Sequence, residues 1–195
     1  MQAIDDQREQ DTPPEGLNLA RHALWSADVA GDKAALVVMG ENEVQTWSYD
    51  ALRALVLRTA GGLLAAGVKP GQKLLIRIGN TPDFPIVFLG AMSAGILPVP
   101  TSAALNEDEV TKLATVLKPD AVIGTGTVAL PASCARVLSP AEGADGPALK
   151  TIAETRADDP AYIVFTSGTS GTPTGVVHAH RAIWERRAMI RGWTG

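Results

Sequence analysis

The chain has 195 residues, of which 46% are apolar and 19% charged, and its formal charge is −4. A chain of this length and composition can bury the core of one folded domain. The lack of a basic stripe excludes nucleic-acid binding as a working interpretation. One cysteine, Cys134, excludes an intrachain disulfide, and no Cys/His spacing fits a zinc site.

The first sixteen residues are acidic and lack an apolar stretch, unlike a secretory or transit peptide. We predict a disordered acidic tail over 1–16 and a cytoplasmic location.

Apolar residues from Ala20 to Ala27 repeat at helical spacing and predict the first helix. Ala34–Met39 and 44–47 flank a polar turn and predict a β-hairpin. Ser48 is then predicted to cap a helix that ends at Gly67.

The middle of the chain contains an uncharged stretch, Phe84–Asn106, about as long as a bilayer span. Its prolines and glycines argue against a membrane segment. They predict instead a buried helix over 84–94 and a strand over 96–99. Because residues 74–78 read as a strand before that helix, the two strands are predicted to pair in parallel.

Asn106 and Glu109 have capping-box spacing, which predicts a helix over 107–117. The remaining predicted elements are a strand over 121–123, a loop over 139–149, strands over 161–165 and at 176–177, and a helix after His180. This alternation predicts an α/β fold, a layered sheet with mostly parallel strands and flanking helices.

The segment Thr166–Gly175, TSGTSGTPTG, follows an apolar, β-prone run and contains six hydroxyl side chains and three glycines. Glycines let backbone N–H groups converge on an anion, and hydroxyl groups add further donors. The composition therefore predicts a phosphate-binding loop. A flexible polar loop between two strands is the alternative interpretation.

Three other glycine motifs fit less well. The chain contains no Gly-Lys pair, so the Walker loop is absent. The segment misses the G-x-S-x-G spacing of serine hydrolases by one residue. Gly124–Ala129 does satisfy G-x-G-x-x-A, but Pro131 and a weak helical pattern follow it, which argues against a dinucleotide site.

Tyr162–Val176, followed by His178 and His180, resembles the phosphate-loop signature of the adenylate-forming superfamily of acyl-CoA synthetases, peptide-synthetase adenylation domains and luciferases. Further segments resemble landmarks of this superfamily in their usual order: 47–52, 67–71, 80–84 and 94–100. The resemblance implies that residues 17–195 are the N-terminal portion of an AMP-binding domain, within the large N-terminal domain of an acyl-CoA synthetase.

The resemblance implies an AMP-forming acid–CoA ligase, which uses Mg²⁺ and ATP to convert a small-molecule carboxylic acid to an acyl-adenylate and then forms the CoA thioester. The residues that the resemblance assigns to the triphosphate are Thr166, Ser167, Gly168, Thr169, Ser170, Gly171, Thr172, Thr174 and Gly175. No catalytic residue and no metal ligand is assigned in this chain. His178 and His180 follow the loop closely enough to lie near substrate, with a structural role as the alternative.

Two departures from the superfamily pattern affect the expected function. Thr174 stands where a lysine is usual, and we predict a weaker affinity for ATP. The chain also stops at Gly195, before the rest of the large domain and the small C-terminal domain. We therefore expect the chain alone to be inactive and to self-associate through exposed apolar surface. A truncated nucleotide- or partner-binding module without catalysis is the alternative function.

Overall fold

The computed structural model describes residues 12–25, 31–40, 43–134, 136–166 and 173–191. Most of the predicted acidic tail lies outside these residues. The helices are α1 (Leu19–Trp25), α2 (Tyr49–Ala65), α3 (Asp83–Ser93), α4 (Glu107–Leu117), α5 (Pro140–Gly143) and α6 (Arg181–Arg191). The strands are β1 (Ala34–Met39), β2 (Val44–Ser48), β3 (Lys73–Arg77), β4 (Leu97–Pro100), β5 (Ala121–Gly124), β6 (Val137–Leu138), β7 (Pro160–Thr166) and β8 (Thr174–Ala179).

A parallel sheet with the strand order β4-β3-β5-β6 forms the centre of the fold. In its middle, Leu75 of β3 lies opposite Val99 of β4 on one side and Val122 of β5 on the other. All three side chains are buried. Two antiparallel hairpins, β1–β2 and β7–β8, complete the described strands, and β7 lies beside β4. The predicted α/β fold with a mainly parallel sheet is confirmed.

Helices cover the sheet on both faces, as a buried parallel sheet requires. Leu74 and Ile76 point to one face, where they pack against α2 and α3. Leu75 points to the opposite face and packs against α4 and β7. Successive residues of a strand point to opposite faces, so one apolar run in β3 supplies both cores.

The helix ends follow the local signals in the sequence. The Ser48 side chain accepts a hydrogen bond from the N–H of Ala51 at 3.2 Å, and Gly67 has a positive φ of 83° just after α2. At α4 the predicted capping box is present. The N–H of Glu109 donates to Asn106 Oδ1 at 3.0 Å, and the N–H of Asn106 donates to Glu109 Oε2 at 2.9 Å.

Two short elements between β5 and β7 were not predicted, and the second of them lies within the predicted loop over 139–149. Residues 137–138 form β6, which pairs in parallel with β5, and Pro140–Gly143 form one helical turn, α5. Ser139 and Glu142 make a second capping box at this turn. A two-residue strand carries no periodicity of its own, so only its pairing with β5 reveals it.

The uncharged stretch Phe84–Asn106 contains most of α3, all of β4 and the connection to α4. This confirms the prediction of a buried helix followed by a strand, although the strand begins one residue later than expected. Within the part of the chain that the structure describes, no helix is long and apolar enough to cross a bilayer.

Candidate functional site

A cleft of about 680 Å³ opens at the carboxyl edge of the parallel sheet, where β4 ends. Its apolar wall includes Phe84 of α3, Leu113 of α4 and Phe165 of β7. Polar side chains at the cleft are Thr101, Ser102, Glu109, Lys112 and Thr166. In open α/β sheets, ligands bind in the crevice outside the carboxyl ends of the strands, and this cleft has that location.

The predicted phosphate loop begins and ends at this cleft. Within the loop, Thr166 and Pro173 are the described residues nearest to 167–172, and both line the cleft. Thr166 and Thr174 are cross-strand partners where β7 and β8 meet the loop. The predicted site residues Ser167, Gly168, Thr169, Ser170, Gly171 and Thr172 lie outside the described residues. Their assignment to the triphosphate stays a prediction.

Gly175 has a packing role in the stem of the loop. It lies opposite Phe165 in the β7–β8 pair. A Cβ atom at this position would lie 3.2 Å from Cζ of Phe165 and 3.4 Å from Cγ2 of Ile163. The absent side chain therefore leaves room for the Phe165 ring, which lines the cleft.

The charges at the cleft come from α4. Lys112 is the cation among the described lining residues, and Glu109 is the carboxylate. The Glu109 carboxylate already accepts the N–H of Asn106 in the capping box. Thr174 is exposed and brings no charge to the loop, so the described stem of the loop is uncharged between Thr166 and Gly175.

Arg77, the last residue of β3, is completely buried beneath the cleft. Its Nε donates to the carbonyl of Ala129 at 2.8 Å, and its Nη2 donates to the carbonyl of Leu105 at 2.9 Å. Its Nη1 donates to Thr101 Oγ1 and to the carbonyl of Ser102. Burial lowers the pKa of this guanidinium, which remains charged because the unperturbed pKa of arginine is so high.

Arg77 was not among the sequence-predicted site residues. The signal was available, because arginine interrupts an apolar run, Leu74–Ile78, that is otherwise typical of a strand buried on both faces. Arginine is almost never fully buried unless its donors are satisfied. The sequence did not indicate which groups would satisfy it.

His180 precedes α6 in the sequence, but its side chain contacts the start of α1 in space. It is 2% exposed, and its Nδ1 accepts a hydrogen bond from the N–H of Leu19 at 3.0 Å. Burial lowers the pKa of His180, and the nearby carboxylate of Asp159 opposes that shift. An Nδ1 that accepts must be unprotonated, so the imidazole is neutral with its proton on Nε2. This geometry matches the structural alternative given above for His180.

His178 belongs to a row of aromatic rings that leads to the cleft. Its ring stacks on Tyr162 with a centroid distance of 4.7 Å and an interplanar angle of 8°. Tyr162 meets Phe88 edge-on at 5.7 Å, and Phe88 stacks on Phe84 at 5.9 Å. Burial raises the pKa of the Tyr162 hydroxyl. Two rings, those of Tyr162 and Phe88, thus separate His178 from Phe84, which lines the cleft. The proximity of His178 to substrate stays a prediction.

Among the residues that the structure describes, no three His, Cys, Asp or Glu side chains are grouped so that they could hold a metal ion.

The comparison with known families matches residues 24–194 to the AMP-binding enzymes. This match covers most of the chain, so the chain belongs to the AMP-binding enzyme family. Among curated relatives, the 4-chlorobenzoate–CoA ligase of an Arthrobacter species is 31% identical over 175 residues. The match covers 83% of this chain and 33% of that ligase. The chain therefore spans about a third of the length of this relative.

Solved structures share the fold. A benzoate–CoA ligase from Burkholderia xenovorans superposes with a TM-score of 0.73 at 23% identity, over 86% of this chain and 35% of that one. An acyl-CoA synthetase from Brucella canis gives a TM-score of 0.77 at 19% identity, over 89% and 35%. At these identities the likeness establishes the fold. It confirms that the chain has the architecture of the N-terminal part of adenylate-forming ligases.

Proposed function

We propose that this chain is the ATP-phosphate-holding part of an AMP-forming acid–CoA ligase. The observation that carries the proposal is the β7–β8 hairpin of an AMP-binding family member, in which Thr166 and Pro173, at the two described ends of the predicted phosphate loop, line the cleft at the sheet edge. The complete enzyme would join a carboxylic acid to AMP and then transfer the acyl group to the thiol of CoA.

The first step joins two anions and therefore depends on charge compensation. A carboxylate oxygen attacks the α-phosphorus of ATP, the bond to the bridging oxygen breaks, and pyrophosphate leaves with the electron pair. Donors that are in place beforehand stabilise the charge that develops on the leaving group. Backbone N–H groups and hydroxyls of Thr166–Gly175 would supply these donors, and Lys112 would add a positive charge at the cleft.

Mg²⁺, when bound with ATP, supplies further neutralisation of the phosphate oxygens. Phosphate oxygens are common magnesium ligands, so the ion would accompany the triphosphate.

The acid is proposed only as a small-molecule carboxylic acid. Relatives of similar identity are named for different acids, among them 4-chlorobenzoate and long-chain fatty acids. Sequence similarity over this part of the chain therefore does not distinguish an aromatic from an aliphatic acid. A cytoplasmic location is proposed with the same function, since ATP and CoA are available there.

Exchange of labelled pyrophosphate into ATP tests the proposal, because it requires only adenylate formation. The 195-residue chain and the longest protein encoded by its gene would be assayed side by side with a panel of aromatic and aliphatic acids. We expect exchange in the longer protein and none in the chain. If the longer protein binds ATP but exchanges no label with any acid, the ligase proposal is refuted and the alternative function, a binding module without catalysis, is favoured.

A further inference from the structure

We propose that Arg77 is a positioning residue for ligand binding in the cleft, because it fixes the cleft wall. The cleft wall is defined here as residues 101–105, which connect β4 to α4. The inference rests on the proposed function only for the identity of the ligand. The placement of the wall by Arg77 can be tested without any enzymatic activity.

The guanidinium of Arg77 contacts the cleft wall at both of its ends. At the start of the wall it donates to Thr101 Oγ1 at 3.2 Å and to the Ser102 carbonyl. At the end it donates to the Leu105 carbonyl at 2.9 Å. Thr101, Ser102 and Leu105 all line the cleft. One rigid, planar group therefore sets the position of several lining residues at once.

The contact to Leu105 also places α4. Leu105 precedes Asn106, the N-cap of that helix, and the following turns carry Lys112 to the cleft. The fourth contact, to the Ala129 carbonyl at 2.8 Å, joins the wall to the segment that follows β5. Arg77 thus connects the loops that leave β4 and β5, the strands on either side of β3, at the ligand-binding edge of the sheet.

The acceptors of Arg77 are carbonyl and hydroxyl groups, and no carboxylate among the described residues pairs with it. The charge is therefore held by backbone dipoles beneath a cleft at which we place an anionic substrate. Lysine cannot replace this arrangement, because a single ammonium group cannot span acceptors in two separate loops. If position 77 served only to stabilise the core, an apolar residue would do so at a far lower desolvation cost than arginine.

Amide hydrogen exchange of the 195-residue chain, read by peptide mass spectrometry, is the first test. The N–H groups of Ala104 and Leu105 are bonded within the wall, to Ser102 Oγ and to the Ser102 carbonyl. In Arg77→Lys we expect the exchange of peptides covering 101–105 to accelerate about tenfold, the effect of losing one or two ordinary hydrogen bonds. Peptides of the β1–β2 hairpin should exchange as in the wild type.

Arg136→Met is the matched control. Arg136 is partly buried and, like Arg77, donates to a backbone carbonyl, that of Ala66 at 2.6 Å, but it does not line the cleft. It should leave the exchange of 101–105 unchanged. If Arg77→Lys prevents folding, Thr101→Val removes one acceptor of the guanidinium with the arginine intact. A smaller acceleration confined to the wall is then expected.

Kinetics of the longer gene product provide the second test. Arg77→Lys should raise the KM for ATP or the acid at least fivefold with a smaller change in kcat, because the wall is displaced while the reacting groups remain. Unchanged exchange in the wall, or acceleration spread equally over the β1–β2 hairpin, would overturn the positioning role. A wild-type protein without pyrophosphate exchange would refute the ligase proposal alone, since the hydrogen-exchange result stands independently.

Discussion

Replacement of His180 tests whether this histidine holds the start of α1. In His180→Ala the buried N–H of Leu19 loses its acceptor, which costs about 1–3 kcal/mol in the free energy of unfolding. The neighbouring N–H of Ala20 keeps its bond to Asn18 Oδ1 at 3.0 Å, so the loss is confined to one donor. For a chain of this size, a loss of about 2 kcal/mol lowers the midpoint of thermal unfolding by about 4–8 °C.

His180→Asn keeps a hydrogen-bond acceptor at this position but removes the titratable imidazole. The side-chain oxygen of asparagine occupies a position similar to that of Nδ1 and can accept the Leu19 N–H, but it does not bind a proton near neutral pH. We therefore expect His180→Asn to lose clearly less stability at pH 7 than His180→Ala. His178→Asn is the matched control, because His178 stacks on Tyr162 and lies outside the α1 contact.

The pH dependence follows from the lowered pKa of His180. Its ordinary value is near 6.5, and the folded value is lower, so the unfolded chain binds the proton first as the pH falls. The stability contributed by neutral His180 is fully present above pH 6.5 and is lost as the pH falls from there through the folded pKa. The maximum slope for one such group is about 1.4 kcal/mol per pH unit.

Urea unfolding followed by circular dichroism between pH 7.5 and 5 measures this effect for the wild type, His180→Asn and His178→Asn. The wild type and His178→Asn should lose stability in this range with a similar slope, and His180→Asn should lose less. If His180→Asn declines as steeply as the wild type, the neutral, accepting state of His180 is refuted.

Four further predictions concern other parts of the molecule. Thr174→Lys in the longer gene product should lower the KM for ATP in pyrophosphate exchange, because it adds a positive charge at the phosphate loop. Gly175→Ala should lower the thermal midpoint and weaken ATP binding, since its Cβ would press on the ring of Phe165. Asn106→Ala should cost about 0.5–2 kcal/mol in urea unfolding by removing the α4 cap. The chain should self-associate in sedimentation velocity through β8, and Val177→Lys should reduce that association because Val177 is 57% exposed.

Three of these predictions have their own controls. Thr174→Val changes the side chain without adding charge, and an equal fall in KM would contradict the charge argument. Asn106→Ser keeps a capping oxygen and should lose little stability. Val116→Lys alters an apolar residue on α4 that is 49% exposed, and an equal loss of association there would contradict the assignment to β8.

Much of the fold could be predicted because its signals are local. Ser48 and Asn106 bond to N–H groups three residues away, so their caps are visible in the sequence itself. The apolar runs of β3 and β5 indicate strands buried on both faces whatever their partners are. Strand β6 was missed because a two-residue strand depends on its pairing with β5. Helix α5 was missed although its capping box is as local as that of α4, because a single helical turn carries no apolar periodicity.

The candidate site was predictable only in part for the same reason. The glycine and hydroxyl composition of Thr166–Gly175 is contained in ten adjacent residues, so the phosphate loop and the family resemblance follow from the sequence alone. The cleft next to it is built from α3, α4, β4 and β7 together. No segment of the sequence contains that juxtaposition.

Arg77 and His180 show most clearly which properties the sequence determined and which the tertiary structure decided. The sequence by itself determined that Arg77 lies in a buried strand and that His180 follows the phosphate loop. Only the tertiary structure decided that the guanidinium bonds to residues 24 to 52 positions away, and that the imidazole accepts an N–H 161 positions away. Burial obliges each polar group to find a partner, but chain topology determines which partner is within reach.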